Sequence, residues 1–330
     1  MVKRQHYVPR FYLKYFAVND RLNYYDKILS RKFSNTHVDN VAQQRYFYDL
    51  SEEFLSKQQE NANESMDSRF FDKQYLEGFF SKLEDGFAKS FRTINEKLYN
   101  SPNLFETNLI DILSEEEKID LVFFIALQSI RTPAYRELSG NFMNMLQVNI
   151  PDFTDILPDD NERLLLHLAS GVLDRVGRYL LSDKFEWYLA VIEKTETEKS
   201  QNWRTALMKQ VIINDEFLIS DNPVVNIKHI EKNTLNISTE FCLPLSPKHL
   251  LVIRERNYPF EKPDNSIFIP SKNMIRLYNE YQIRFATRKI IYTNSTNEKK
   301  LNKYFKLYPR DHTHNTGTFC VHEWEGKIKI

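Results

Sequence analysis

The sequence predicts an α+β protein, with a helical middle region (residues 51–182) inserted between a small N-terminal β ribbon and a larger C-terminal mixed or antiparallel sheet. Three observations carry that prediction. Short strand-like runs bounded by turn residues occur before residue 51 and return beyond residue 183. Between them apolar residues recur at helical spacing, and helix-capping signals punctuate the same stretch. At 330 residues, with 42% hydrophobic and 14% aromatic side chains, the chain can bury one sizeable core, and a single compact domain is expected.

In QHYVPRFYLKYF, Pro9 suits the first position of a helix. Phe11, Tyr12, Tyr15 and Phe16 then share one face, Arg10 and Lys14 the other, and His6 sits just ahead. RLNYYDK (21–27) and RKFSNTHV (31–38) read as a hairpin, after which Tyr46, Phe47 and Tyr48 anchor the way into the helices. Tyr75, Leu76, Phe79, Phe80, Leu83, Phe87 and Phe91 mark a long amphipathic helix. Ser114 and Glu117 form a capping box ahead of IDLVFFIALQSIR, where Pro133 ends the helix and Thr132-Pro133 starts another. One further helix is expected over 161–181. The second half reads as strands at 185–194, 211–220, 224–228, 241–245 and 249–255, a helix at 271–287, strand IIYTN, a helix near 296–306 and strand TFCVHEW.

Charge and motif content narrow the function classes. Lys+Arg and Asp+Glu both number 45, which removes the footprint of a protein that coats nucleic acid but leaves room for a local basic groove. Cys242 and Cys320 give no disulfide framework, the start MVKR is followed by no apolar run, and no stretch approaches the roughly 20 apolar residues of a membrane span. A cytoplasmic protein without membrane association is expected. Neither G-x-x-x-x-G-K-[ST] nor G-x-G-x-x-G occurs, so the familiar phosphate loops have no local signature.

Five constellations could carry chemistry, each with a plainer structural reading. His6 ahead of a helix N-terminus is disposed to be a neutral base or a hydrogen-bond donor to a bound phosphate or carboxylate, or it caps backbone while the aromatics pin the chain. Gln128 and Arg131, three apart near a helix end, could clamp a carboxylate or phosphate, or simply satisfy the helix dipole. Asp221-Asn222-Pro223 ends an apolar strand, where an Asp serves as general base or metal ligand, or as an ordinary turn residue. Glu77 and Glu84 lie on one helix face, as an acid–base pair or a solvated stripe. His312, His314, Cys320 and His322 could meet in a zinc site if a hairpin closes in the right register.

HYVPRFYL (6–13) and SDNPV (220–224) together resemble the motifs of an uncharacterised bacterial family, a domain of unknown function. The likeness extends through RYFYDL (45–50), YLEGFFSKLE (75–84), QSIRTP (128–133), LPLSP (243–247) and the helix containing Asn279. The resemblance brings no activity with it. It does single out His6, Arg131 and Asp221 as a shared catalytic pocket, and Gln128, Asn222, Tyr7 and Tyr12 are the expected substrate-binding residues around it. The expected function is a hydrolase of a phosphodiester or nucleotide-derived substrate, small molecule or nucleic acid, with a defence or toxin-like role and an optional divalent metal. The alternative is a non-enzymatic binding protein that uses the same His/Arg/Asp pocket.

Overall fold

A two-stranded antiparallel ribbon, β1 (Arg4–His6) with β4 (Gln43–Arg45), opens the chain, and its register pairs Arg4 with Arg45 and His6 with Gln43. The computed structural model describes residues 1–60, 71–100, 111–150, 158–192, 216–232, 236–258, 260–293, 301–302 and 305–306, together with the backbone of 320–324. His6 therefore ends a strand instead of preceding a helix directly. Pro9 caps the short helix α1 (Arg10–Lys14), whose Tyr12 and Leu13 are fully buried, with Phe16 beyond them.

The hairpin β2 (Arg21–Asp26) and β3 (Arg31–His37) forms as expected, but it is not a separate N-terminal ribbon. Strand β2 pairs with β11 (Lys289–Tyr292), which pairs in turn with β6 (Ile219–Ser220), giving a four-stranded sheet of order β3-β2-β11-β6. Edge-strand amides seek partners wherever the chain returns, and here they find them in the C-terminal half.

Helices α2 (Glu52–Glu60), α3 (Tyr75–Asn100), α4 (Glu115–Ile130) and α5 (Pro133–Asn149) make up most of the middle. Ser114 and Glu117 close both arms of the capping box, and the Thr132 hydroxyl caps α5 with Pro133 in its first turn. The helix expected over 161–181 is two, α6 (Asp160–Ala169) and α7 (Val172–Leu180). Gly171 separates them at φ 74°, a left-handed conformation in which a β-carbon is strained.

The larger sheet has the order β10-β5-β9-β8-β7-β12, from β5 (Phe185–Val191), β7 (Val225–Glu231), β8 (Ile237–Ser246), β9 (His249–Glu255), β10 (Ser266–Phe268) and β12 (Cys320–Trp324). It is mixed, because the two outermost pairings are parallel and the three inner ones antiparallel. One face sends Trp187, Leu189, Leu243, Leu251 and Ile253 into a core shared with Tyr12, Phe91, Phe124 and Leu127. The opposite face packs Tyr188, Val225, Cys242 and Val252 under α8 (Lys272–Phe285). Alternation along each strand thus produces three layers, helices on sheet on helix. Among the described residues no helix is long and apolar enough to cross a membrane.

Replacing Gly171 by Ala is expected to destabilise the protein by about 1–2 kcal/mol, the cost of an L-residue in the left-handed region, measured by urea unfolding. An unchanged midpoint would show that the α6–α7 joint relaxes freely.

Candidate functional site

Of the residues singled out in the sequence, Arg131 and Gln128 meet around the backbone of His6 and Tyr7. Arg131, at the C-terminal end of α4 and only 2% exposed, donates from Nη2 to the His6 carbonyl at 2.6 Å and from Nη1 to Glu84 Oε1 at 2.7 Å. Its Nε donates to the Tyr48 hydroxyl at 3.2 Å, and that hydroxyl donates back to the Arg131 carbonyl at 3.0 Å. The Phe80 ring lies 4.7 Å from the guanidinium carbon. Gln128 Nε2 donates to the Tyr7 carbonyl at 2.8 Å. A buried cation is tolerable only when paired and fully hydrogen-bonded, and Glu84, Tyr48 and His6 meet that demand. Burial disfavours the charge, but Tyr48 and Glu84 more than compensate and raise the Arg131 pKa. Arg131 and Gln128 therefore hold the chain as positioning residues.

Asp221 is tied down in the same manner. Its Oδ1 accepts from the Thr287 amide at 2.9 Å, and its Oδ2 from Arg288 and Lys289 at 2.8 and 3.0 Å. Burial pushes its carboxyl up to about 6, against the pull of those three amides. The flanking turn is clamped by α8, where Gln282 accepts from the Ser220 amide and donates to the Pro223 carbonyl. The half-buried Asn222 bonds through its backbone to the Ser220 hydroxyl. The Asp221 charge acts on Tyr7 and is not among the causes that shift His6. Burial first, then the Asp221 carboxylate, raises the Tyr7 phenol. Tyr12, fully buried, spends its hydroxyl on the Pro244 carbonyl at 2.5 Å.

The half-exposed chemistry gathers instead on the outer face of the β1–β4 ribbon. Alternation sends Gln5 inward, where its amide bonds Asp49 at 2.7 Å and accepts from the Tyr48 amide. Arg4, His6, Gln43 and Arg45 share the opposite face. His6 Nε2 lies 3.4 Å from the Val38 carbonyl; a carbonyl only accepts, so Nε2 carries the proton and Nδ1 keeps its lone pair. Burial is the main cause that lowers the His6 pKa, with Arg131 and Arg10 adding to it and the Val38 carbonyl and Asp39 opposing. Arg10 Nε pairs with Asp39 Oδ1 at 2.6 Å beside it, and Arg4 Nη1 donates to Asn40 Oδ1 at 2.7 Å. Opposite His6, the buried Gln43 Oε1 has no hydrogen-bond partner among the described residues.

Two further clusters complete the survey. Glu77 and Glu84 do share one face of α3, and burial pushes Glu77 up to about 7, with Glu84 and Asp49 adding to the rise and Arg131 opposing it. In the larger sheet, Glu240 bonds Arg254 and the Cys242 thiol, with His229 Nε2 at 3.5 Å, while the Tyr258 and Phe260 rings lie 4.5 and 4.4 Å from the Arg254 guanidinium carbon. Burial alone would raise the Glu240 carboxyl; the Arg254 charge and the neighbouring His229 ring hold it below the carboxylate range. Neither charge of this pair was legible as a site, because strand pairing brings them together from positions 14 apart.

The space between α8 and the larger sheet, lined by Phe217, Cys242, Pro244, Leu250 and Tyr278, is apolar and has no room for water. Among the described residues no three His, Cys, Asp or Glu side chains gather as a metal-binding group. The expected zinc cluster lies outside the described residues at His312 and His314; of Cys320 and His322 the structure gives backbone register only, with His322 opposite His229.

The chain belongs to the family DUF4238, described as proteins of unknown function, whose model matches residues 4–296. No curated protein and no solved structure gives a significant match.

Two substitutions test the pins. Arg131→Ala is expected to cost about 3–5 kcal/mol in urea unfolding, since it strands Glu84 and Tyr48 in the interior, and Arg131→Lys recovers less than half because an ammonium cannot serve all three partners. Asp221→Ala is expected to cost about 2 kcal/mol at pH 7 through its unpaired amides, and more at pH 4. The sign follows from linkage: the native pKa of about 6 exceeds the unfolded value of about 3.9, so the wild type loses stability as pH rises across that window and the variant does not.

Proposed function

We propose that the protein is a hydrolase acting on a phosphodiester or another nucleotide-derived substrate, with His6 as its general base. The observation that carries this reading is a neutral imidazole on a solvent-facing ribbon within a basic segment. Residues 1–50 contain nine Lys or Arg against four Asp, although the whole chain is neutral. A local excess of cations of this kind draws anionic substrates and concentrates them at the face that bears it. His6 has its pKa lowered by burial, so its Nδ1 lone pair is free at neutral pH to take a proton from an attacking water. Arg10, exposed across Asp39, stands where it can neutralise a non-bridging phosphate oxygen as the ester P–O bond breaks.

Under this reading Arg131 and Gln128 act through His6, by fixing the backbone that carries it. The base role considered for Asp221 passes to His6, since both Asp221 oxygens already accept backbone amides. That saturation is also what favours the second reading, a non-enzymatic binding protein whose His/Arg/Asp residues are scaffold. Turnover separates the two.

Hydrolysis of bis(p-nitrophenyl) phosphate and of a labelled oligonucleotide is expected to fall about 100-fold or more in His6→Gln, with the urea midpoint little changed. In the wild type kcat/KM is expected to rise with pH through a midpoint below 6.5 and then stay level, because the unprotonated imidazole is the active form. Wild-type rates in the variant would remove His6 from the chemistry; a rate that falls as pH rises to 7 would reverse the assignment.

A further inference from the structure

We propose that the four-stranded sheet carries an anion site, formed by Arg31, Arg288 and Lys289 around Asp26, that takes a dianionic phosphate group. It involves none of the residues given roles in the hydrolase reading and does not rest on that reading.

Strand register brings the charges together. Arg31 from β3 and Lys289 from β11 are the direct partners of Asp26 on its two sides, so the three side chains leave one face of the sheet. Arg288, one residue before β11, reaches the same carboxylate, its Nε donating to Asp26 Oδ2 at 2.6 Å. Adjacent strands lie about 4.8 Å apart, so the Arg31 and Lys289 backbones are separated by about 10 Å, a span that two long side chains can close around one anion. In the next row the Tyr24 and Phe33 rings stack with their centroids 4.8 Å apart. The Arg31 guanidinium carbon lies 5.1 Å from the Phe33 centroid, and Lys289 Nζ lies 5.3 Å from that of Tyr24. Both cations therefore lean over the same pair of rings.

Three cations meet one acid in this row, and the acid is already spent. Asp26 Oδ1 accepts from the Ile28 and Leu29 amides, each at 3.0 Å, and Oδ2 from Arg288. Among the described residues neither Arg31 nor Lys289 has a hydrogen bond or an ion pair; each has only its ring. Asp221, whose charge acts on Lys289, also acts on Lys27, and these two opposite charges cancel. The row is left with an excess of two positive charges. A phosphate monoester supplies that charge above its second pKa of about 6, and its three terminal oxygens offer one acceptor to each cation.

Lys289 is the residue hardest to explain by the fold. It is 9% exposed, yet its amine is not among the fully covered atoms that lack a partner, so the stem is buried and the tip opens to solvent. Burial lowers its pKa against the pull of Asp221, and Arg288 adds to the fall while Asp26 opposes it. An apolar side chain of the same length would cover the rings without the cost of a desolvated, unpaired charge. A phosphate between the amine and the two guanidiniums supplies the missing partner.

The test is isothermal titration calorimetry of the full chain with phenyl phosphate, inorganic phosphate and dimethyl phosphate, at low salt and about pH 7.5, where the monoester is dianionic. Dimethyl phosphate, a monoanion with two terminal oxygens, is expected to bind at least tenfold more weakly than the other two. Lys289→Met is expected to weaken phenyl phosphate at least tenfold with its urea midpoint unchanged or raised, because a buried unpaired charge has gone. Arg31→Gln, at an exposed position that leaves the core intact, is expected to weaken it about threefold or more and gives the same reading should Lys289→Met fail to fold. Equal binding of phenyl and inorganic phosphate upholds the site as one for phosphate itself; tighter phenyl phosphate upholds it as one for a monoester. Undiminished binding in the variants, dimethyl phosphate bound as tightly as the dianions, or no binding of any of the three overturns the proposal.

Discussion

One buried positive charge organises the N-terminal third of this protein. Arg131 cannot sit 2% exposed without a counter-charge and a full set of acceptors, and each acceptor comes from a different segment. Glu84 supplies the charge from α3, Tyr48 the hydroxyl from the segment after β4, and His6 the carbonyl from β1. Four stretches distant in sequence are thereby held to one point. The aromatic residues of the opening segment then have a place to pack: Tyr7 meets Phe47 at a tilt, and Tyr12 meets Phe91 edge to face and Phe124 at a tilt.

The C-terminal half repeats the arrangement with the opposite sign. Asp221 gathers three amides from the segment that joins α8 to β11, and Lys27, its amine pushed down to about 8 by burial despite the Asp221 charge, donates to the Ile283 and Ala286 carbonyls where α8 ends. A cation at a helix C-terminus meets both the orphan carbonyls and the helix dipole. Arg288 then reaches back to Asp26 at 2.6 Å. These bonds join β2 to the end of α8 and explain why a hairpin from the start of the chain sits in a sheet with strands from its end.

Local signals were legible and long-range ones were not. The capping box at Ser114–Glu117 and the Thr132-Pro133 restart were readable because all the atoms involved lie within four residues. The division at Gly171 was hidden, since a glycine within a periodic run reads as tolerated until its backbone is seen to be left-handed. The pairing of β2 with β11 joins residues more than 260 apart, and no local propensity encodes such a partner. His6 was misread for a related reason: Pro9 does announce a helix, but β1 is three residues long and declares itself only through β4. Of the motif residues, Arg131 and Gln128 meet the backbone of His6 and Tyr7 while Asp221 is held by amides after α8 and Tyr12 by Pro244, and sequence cannot say whether an Arg or Asp spends its hydrogen bonds on the chain or keeps them for a ligand.

That distinction explains how the ribbon can be both strained and stable. Its inner face is bound by Gln5, which bonds Asp49 and Tyr48, and by Arg131 and Gln128, which hold the two carbonyls that follow. Each of these bonds is buried or nearly so, and so keeps a strength that a surface bond loses to water. The opposed arginines on the outer side and the left-handed Tyr46 after Arg45 cost on the order of 1 kcal/mol each, within what such a buried network can offset.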